Sequence, residues 1–139
     1  MRIRRTTIAL AVAAAGLTVP AVASPAGAVG DSCAVPGAAG SFNFSWDGKY
    51  RLKGLKLTVK DTAADNHHAA IRLITVRSNN TAKTWSWHHN YKGKNKTQTW
   101  PTSANDTAGI KRASIEVGVL EGDNDLHTCG VGSIKNPNW

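Results

Sequence analysis

Glutamate, phenylalanine, cysteine and methionine are all scarce in this chain. There are two glutamates (Glu116 and Glu121), two phenylalanines, two cysteines and one methionine. So few glutamates leave little material for paired-carboxylate catalysis; Glu116 could serve a small secreted glycosidase or ribonuclease, but no partner stands at a telling spacing. A GxSxG elbow, an HExxH helix and a phosphate-cradling glycine loop are all missing, which removes the commonest hydrolase, zinc-protease and nucleotide-binding readings. No window carries sustained apolar residues at three- and four-residue spacing, so no helix of ordinary length is predicted. Beyond the N-terminal leader, no apolar run approaches the roughly 20 residues that a spanning helix needs.

The leader itself is present. Arg2, Arg4 and Arg5 precede an apolar run from Ile8 to Val19, followed by the small-residue patterns Ala21-Val22-Ala23 and Ala26-Gly27-Ala28. This is the layout of a secretory signal peptide, read as residues 1–28, with cleavage after Ala23 or Ala28. Thr6 and Thr7 stand where a twin-arginine signal prefers bulky apolar residues, so ordinary secretion is expected. The remaining residues, 29–139, are one domain's worth of chain. Loss of the three leader arginines lowers the formal net charge from +8 to +5. A basic exported protein favours anionic partners, although solvated lysine faces account for the same charge. In an oxidising compartment Cys33 and Cys129 are expected to pair and tie the two ends of the domain together. Neither cysteine has a neighbouring motif that would make it a catalytic thiol.

Short alternating segments fill the rest. Phe42, Phe44 and Trp46 share one parity, and Leu55, Leu57 and Val59 share another, with Leu52 out of phase and a bulge expected at Gly54. The run from Ala69 to Arg77 is apolar on both parities, as in a central strand. Ile115, Val117 and Val119 alternate again between Lys111 and Glu121, and Leu126 to Val131 reads as a short last strand. Residues 29–40 read as an irregular lead-in and 101–111 as a loop, while Pro101 marks a strand end or an edge. The phrase Lys60-Asp61-Thr62-Ala63 before one strand is echoed by Asn105-Asp106-Thr107-Ala108 before another, which suggests two equivalent loop-strand units. The fold class is therefore all-β: a small antiparallel β-sandwich of six or seven strands with one disulfide.

The most specific stretch is Lys83 to Trp100, KTWSWHHNYKGKNKTQTW. As an unbroken strand it would place Trp85, Trp87, His89 and Tyr91 on one face. A turn over residues 92–95 would return Gln98 and Trp100 opposite them and pair Trp87 with Trp100. Two readings stay open. The aromatic face is buried core, or it is an exposed platform on which sugar rings stack while His89, Tyr91 and Gln98 bond their hydroxyls.

Lys92, Lys94 and Lys96 make a basic tip beside these rings, but the patch contains no arginine and no nucleic-acid motif, which argues against nucleic acid. His67-His68, His88-His89 and His127 are too dispersed for three or four converging metal ligands, and the Asp/Asn clusters at 61–66 and 123–125 lack EF-hand spacing and read as turns. No metal or cofactor is expected. The leader, the single cysteine pair and the phrase VKDTAADNHHAAIRLITVR followed by TWSWHH resemble small secreted actinobacterial-type proteins, a resemblance that implies export and a single domain but no site residues. The sequence thus reads as a monomeric, secreted, non-catalytic binding module for carbohydrate or an anionic cell-envelope polymer, through Trp85, Trp87, His89, Tyr91, Gln98 and Trp100. The alternative is a protein-binding inhibitor or antagonist acting through the polar loops 61–68 and 92–96, with a small hydrolase third.

Overall fold

Alternating apolar residues without helical periodicity have one way to bury their apolar side, which is to pair into sheets and stack face to face. The structure, a computed structural model, describes residues 27–139. All of the expected leader except its last two residues, and the Ala23 cleavage point, lie outside these residues; Ala28, the other expected cleavage point, is the first residue of β1. The strands are β1 (Ala28–Val35), β2 (Ala38–Asp47), β3 (Arg51–Asp61), β4 (His68–Val76), β5 (Ala82–Thr84), β6 (His88–Asn90), β7 (Thr97–Asn105), β8 (Arg112–Glu121), β9 (Asn124–Gly130) and β10 (Ile134–Lys135).

Sheet A has the order β1-β2-β3-β7. In sheet B, β4 and β8 are central; β5 and β6 both lie along the free side of β4, and β9 and β10 along the free side of β8. All pairings are antiparallel. The expected sandwich is present, with more strand segments than the six or seven read from sequence because β1 is added and two edge strands, β5/β6 and β9/β10, are interrupted. Residues 29–40 are not an irregular lead-in: β1 begins at Ala28 and turns at Gly37, whose φ of +100° favours glycine, directly into β2. Residues 101–105 continue β7, and Pro101, which has no N–H to give, is tolerated because β7 is the edge of sheet A.

The core forms where the inner parities meet: Phe42 and Phe44 from β2, Leu52, Leu55, Leu57 and Val59 from β3, Ile71 and Leu73 from β4, and Ile115 and Val117 from β8, all at most 2% exposed. Each contributes about 1.5–3 kcal/mol by leaving water. The bulge at Gly54 (φ +59°) keeps Leu52 and Leu55 both inward, which a regular strand could not do.

The echoed Asp-Thr-Ala phrases occupy equivalent corners. Asp61 ends β3, Asp106 directly follows β7, and each carboxylate accepts the N–H of the alanine two residues on, at 3.0 Å in both cases, as the chain leaves sheet A for sheet B. A second matched pair was not visible in the sequence. Asn90, fully buried at the end of β6, donates to the carbonyls of Val59 (3.2 Å) and Lys96 (2.8 Å) and accepts the Lys92 N–H. Asn136, just after β10, donates to Gly48 and Ile110 and accepts the Asn138 N–H. This second pin also holds the C-terminal tail, whose Trp139 indole donates to the Ile110 carbonyl at 3.0 Å.

Cys33 on β1 and Cys129 on β9 are joined, linking an edge of sheet A to an edge of sheet B. The Asn90 pin closes the opposite side of the sandwich, where the chain crosses from β6 to β7. Because the bridge closes a long loop, its removal is expected to cost about 4–5 kcal/mol in the chain-entropy model. Denaturant unfolding of the Cys33→Ala/Cys129→Ala double variant checks this, and a loss under about 1 kcal/mol would contradict the model. Asn90→Ala, which leaves the buried Val59 carbonyl without this bond and frees the crossover at Lys92 and Lys96, is expected to cost about 1–3 kcal/mol in the same assay.

Candidate functional site

The aromatic stretch does not form a hairpin. β6 pairs with β4 in sheet B and β7 pairs with β3 in sheet A, so residues 91–96 cross between the sheets. Trp100 stands opposite Leu57, not Trp87, and its nearest ring neighbour is His88, with centroids 5.2 Å apart. The single aromatic face is also broken. Ile74 pairs with Thr84 but Ile71 pairs with His88, so one extra residue is accommodated on the edge strand between them. That insertion reverses parity along the strand.

The consequences fall residue by residue. Trp85 turns inward: its N–H donates to the Leu73 carbonyl at 3.0 Å, its indole donates to buried Thr75 Oγ1 at 3.1 Å, and its ring packs on the core beneath the Lys83 ammonium. Trp100 packs on the same core from sheet A, and Gln98, opposite buried Val59, shares its inward parity. These three residues are support for the fold. Trp87 lies on the other side, with the Arg72 guanidinium 4.2 Å from its ring centroid. His89 pairs with Ala70 and points outward with it, and Tyr91, just past the strand, is 70% exposed.

The outward residues join partners from β4 and the β8–β9 turn. His68 Nε2 and His89 Nδ1 are 2.7 Å apart, and His89 Nε2 lies 3.3 Å from Asp123 Oδ1. If the second contact uses the His89 Nε2–H, then His89 Nδ1 is an acceptor and His68 Nε2 must donate, which orders the two protons along the chain. Tyr91 covers the pair: its ring is 4.4 Å from His68 and 5.5 Å from His89, nearly parallel to the latter at 10°. Leu120, opposite His68, is fully buried, and a Cβ at Gly118 would lie only 3.0 Å from it. The absent side chain at Gly118 lets Leu120 fold over the sheet.

Beside this cluster, Arg72 Nε and Nη2 both reach Glu116 Oε2, at 2.7 and 2.6 Å, across the β4–β8 ladder. On the other side of Tyr91 a depression of about 300 Å³ is lined by Asp61, Asn66, His67, His68, Asn90, Tyr91 and Gly93. The polar loop 61–68 and the crossover 91–96 therefore meet at one place. The amide of Asn95 donates to the Asp61 carbonyl at 2.7 Å, which holds them together.

Of the six residues expected to bind ligand, the structure brings together Trp87, His89 and Tyr91 on the outer side of sheet B and turns Trp85, Gln98 and Trp100 away. Arg72 was missed outright; His68 and Asn66 were read only as part of the polar loop 61–68, Asp123 as a turn residue and Glu116 as a hydrolase's carboxylate, none of them beside His89. His67-His68 was visible as a pair, but only the β4–β6 register shows that His68 meets His89. Among the described residues no group of three or more His, Cys, Asp or Glu side chains converges on a metal position. No family model, curated protein or solved structure matches the chain.

Burial and the neighbouring His89 hold the His68 pKa below the ordinary 6.5, and the same two causes lower His88. A lowered histidine pKa means that the folded state binds fewer protons than the unfolded chain. The associated stability is present above 6.5 and is lost as pH falls through the lowered value. The imidazole resonances of His68 and His88 should therefore titrate below 6.5 by NMR. Unfolding free energy should fall between about pH 7 and about pH 5, with a smaller fall in His68→Gln. Titration at or above 6.5 would contradict the assignment.

Proposed function

We propose that this protein is an exported, non-catalytic binding module that takes a sugar ring of an extracellular or cell-envelope polysaccharide beside Tyr91. The observation that carries this reading is the exposed Tyr91 ring, held against His68 and His89 and forming one wall of a polar depression. A tyrosine face gives a sugar its apolar C–H side, and surrounding amide, imidazole and carboxylate groups answer its hydroxyls. Contact with two imidazoles, stacked on His89 and tilted against His68, removes part of the ring's freedom before any ligand arrives, which lowers the ordering cost of binding.

The disulfide and the absence, among the described residues, of any helix long and apolar enough to cross a membrane accord with an extracellular setting. Convergence of loops 61–68 and 91–96 also supports the second reading, a protein-binding factor, because the same depression would accept a partner's side chain. A hydrolase through Glu116 gains less, since that carboxylate is already engaged by Arg72.

Tyr91→Ala should weaken retention on a panel of insoluble and soluble polysaccharides by about tenfold, the equivalent of one lost stacking contact. Its thermal unfolding should stay close to the parent's, because the ring is mostly outside the core. Equal retention of variant and parent on every polymer would overturn the proposal. Capture of a specific protein that is lost on exchanging residues 92–95 would favour the second reading.

A further inference from the structure

The outer face of sheet A differs chemically from that of sheet B. The β2–β3–β7 registers place Ser41, Thr58 and Thr99 in one row, Asn43, Lys56 and Pro101 in the next, and Ala39, Lys60 and Thr97 in a third. Ser32 and Gly30 of β1 extend the first two rows. The Gly54 bulge keeps Lys53 on this face as well, opposite Ser45. Lys53, Lys56 and Lys60 are all exposed, and none forms an ion pair among the described residues. No carboxylate answers them on this face. Asp31 and Asp61 have the opposite parity, and Asp47 is tied to Arg51 at 3.6 Å.

We infer that this face docks a linear phosphodiester polymer without bases, a chain of the poly(glycerol phosphate) kind. Charge complementarity makes the occupant a polyanion: three free ammonium groups stand in line, with Lys56 and Lys60 about 13 Å apart at the rise of a strand. Phosphate is favoured over carboxylate because the face offers lysines, which act as point charges, and the hydroxyls of Ser41, Thr58 and Thr99, of which Thr58 and Thr99 bond each other at 2.9 Å. It has no free arginine, whose planar fork suits a carboxylate. Nucleic acid is disfavoured because these rows hold no aromatic ring on which a base could stack. Small side chains around the lysines leave the sheet flat, so an extended chain can lie along β3. This inference stands apart from the sugar-ring reading, since Tyr91 belongs to the loop that leaves sheet B.

The test measures binding to poly(glycerol phosphate) over a salt series. Lys53→Gln/Lys56→Gln/Lys60→Gln should bind at least about tenfold more weakly at low salt and show a shallower salt dependence by about 2–3 in log–log slope. Lys94→Gln/Arg112→Gln/Lys135→Gln removes the same charge elsewhere and should keep most of the affinity. Ser41→Tyr, which raises a ring above the flat face without changing charge, should bind weakly, while Tyr91→Ala should bind as the parent does. Circular dichroism establishes that each variant is folded. Equal losses in the two triple variants would assign binding to net charge and overturn the inference. Equal or tighter binding of polygalacturonate or oligo(dT), lost in the same variants, would overturn the choice of polymer.

Discussion

The side chain of Asn90 decides where this chain leaves one sheet and enters the other. Fully buried, it bonds two carbonyls and one N–H from the segments that flank the crossover. Leaving a buried polar group without a partner is costly, and a side-chain amide meets three at once where the ladder has ended. With Asn90 in place, the next residue must emerge at the rim of the sandwich. That residue is Tyr91, and the strand that follows must join β3. The candidate site and the inward position of Trp100 both depend on this one amide.

Asn136 plays the matching part at the other end of the molecule, as Asp106 matches Asp61. The two halves are built on the same plan of an aspartate corner, a central strand of sheet B, an interrupted edge strand and a buried asparagine. They differ in what the second pin supports. After Asn90 the chain crosses to another strand and exposes a tyrosine. After Asn136 it lays Trp139 against Gly109, where a Cβ would come within 2.5 Å of the indole. A shared frame thus carries a polar, imidazole-rich site at one corner and a packed indole at the other.

Charge is segregated along with shape. The outer side of sheet B combines Arg72, Glu116, His68, His89 and the turn aspartates, mostly in mutual contact, whereas that of sheet A shows lysine and hydroxyl groups, its one acid, Asp47, being tied to Arg51. Paired charges on a half-buried face largely satisfy one another. Unpaired ones keep their reach into solvent, and screening sets that reach at about 8–10 Å in ordinary salt.

The amino-acid sequence by itself determined the class of fold, the inward parities of β2, β3 and β8, the bulge at Gly54, the Cys33–Cys129 pair and the twin aspartate corners. The disulfide follows from there being two cysteines and an export leader; the rest follow from period-two alternation, glycine's tolerance of positive φ and the local bonding of Asp, all properties of a few adjacent residues. Only the tertiary structure decided the site. A single extra residue near Trp87 reversed parity and separated Trp85 from His89, and the crossover sent Trp100 to the other sheet. The meeting of His68 with His89 rests on register between distant strands. Period-two reasoning assumes an unbroken strand and a local return. Both assumptions failed where packing of Trp85 on the core and satisfaction of Asn90 were worth more than a regular hairpin, and local pattern carries no record of that balance.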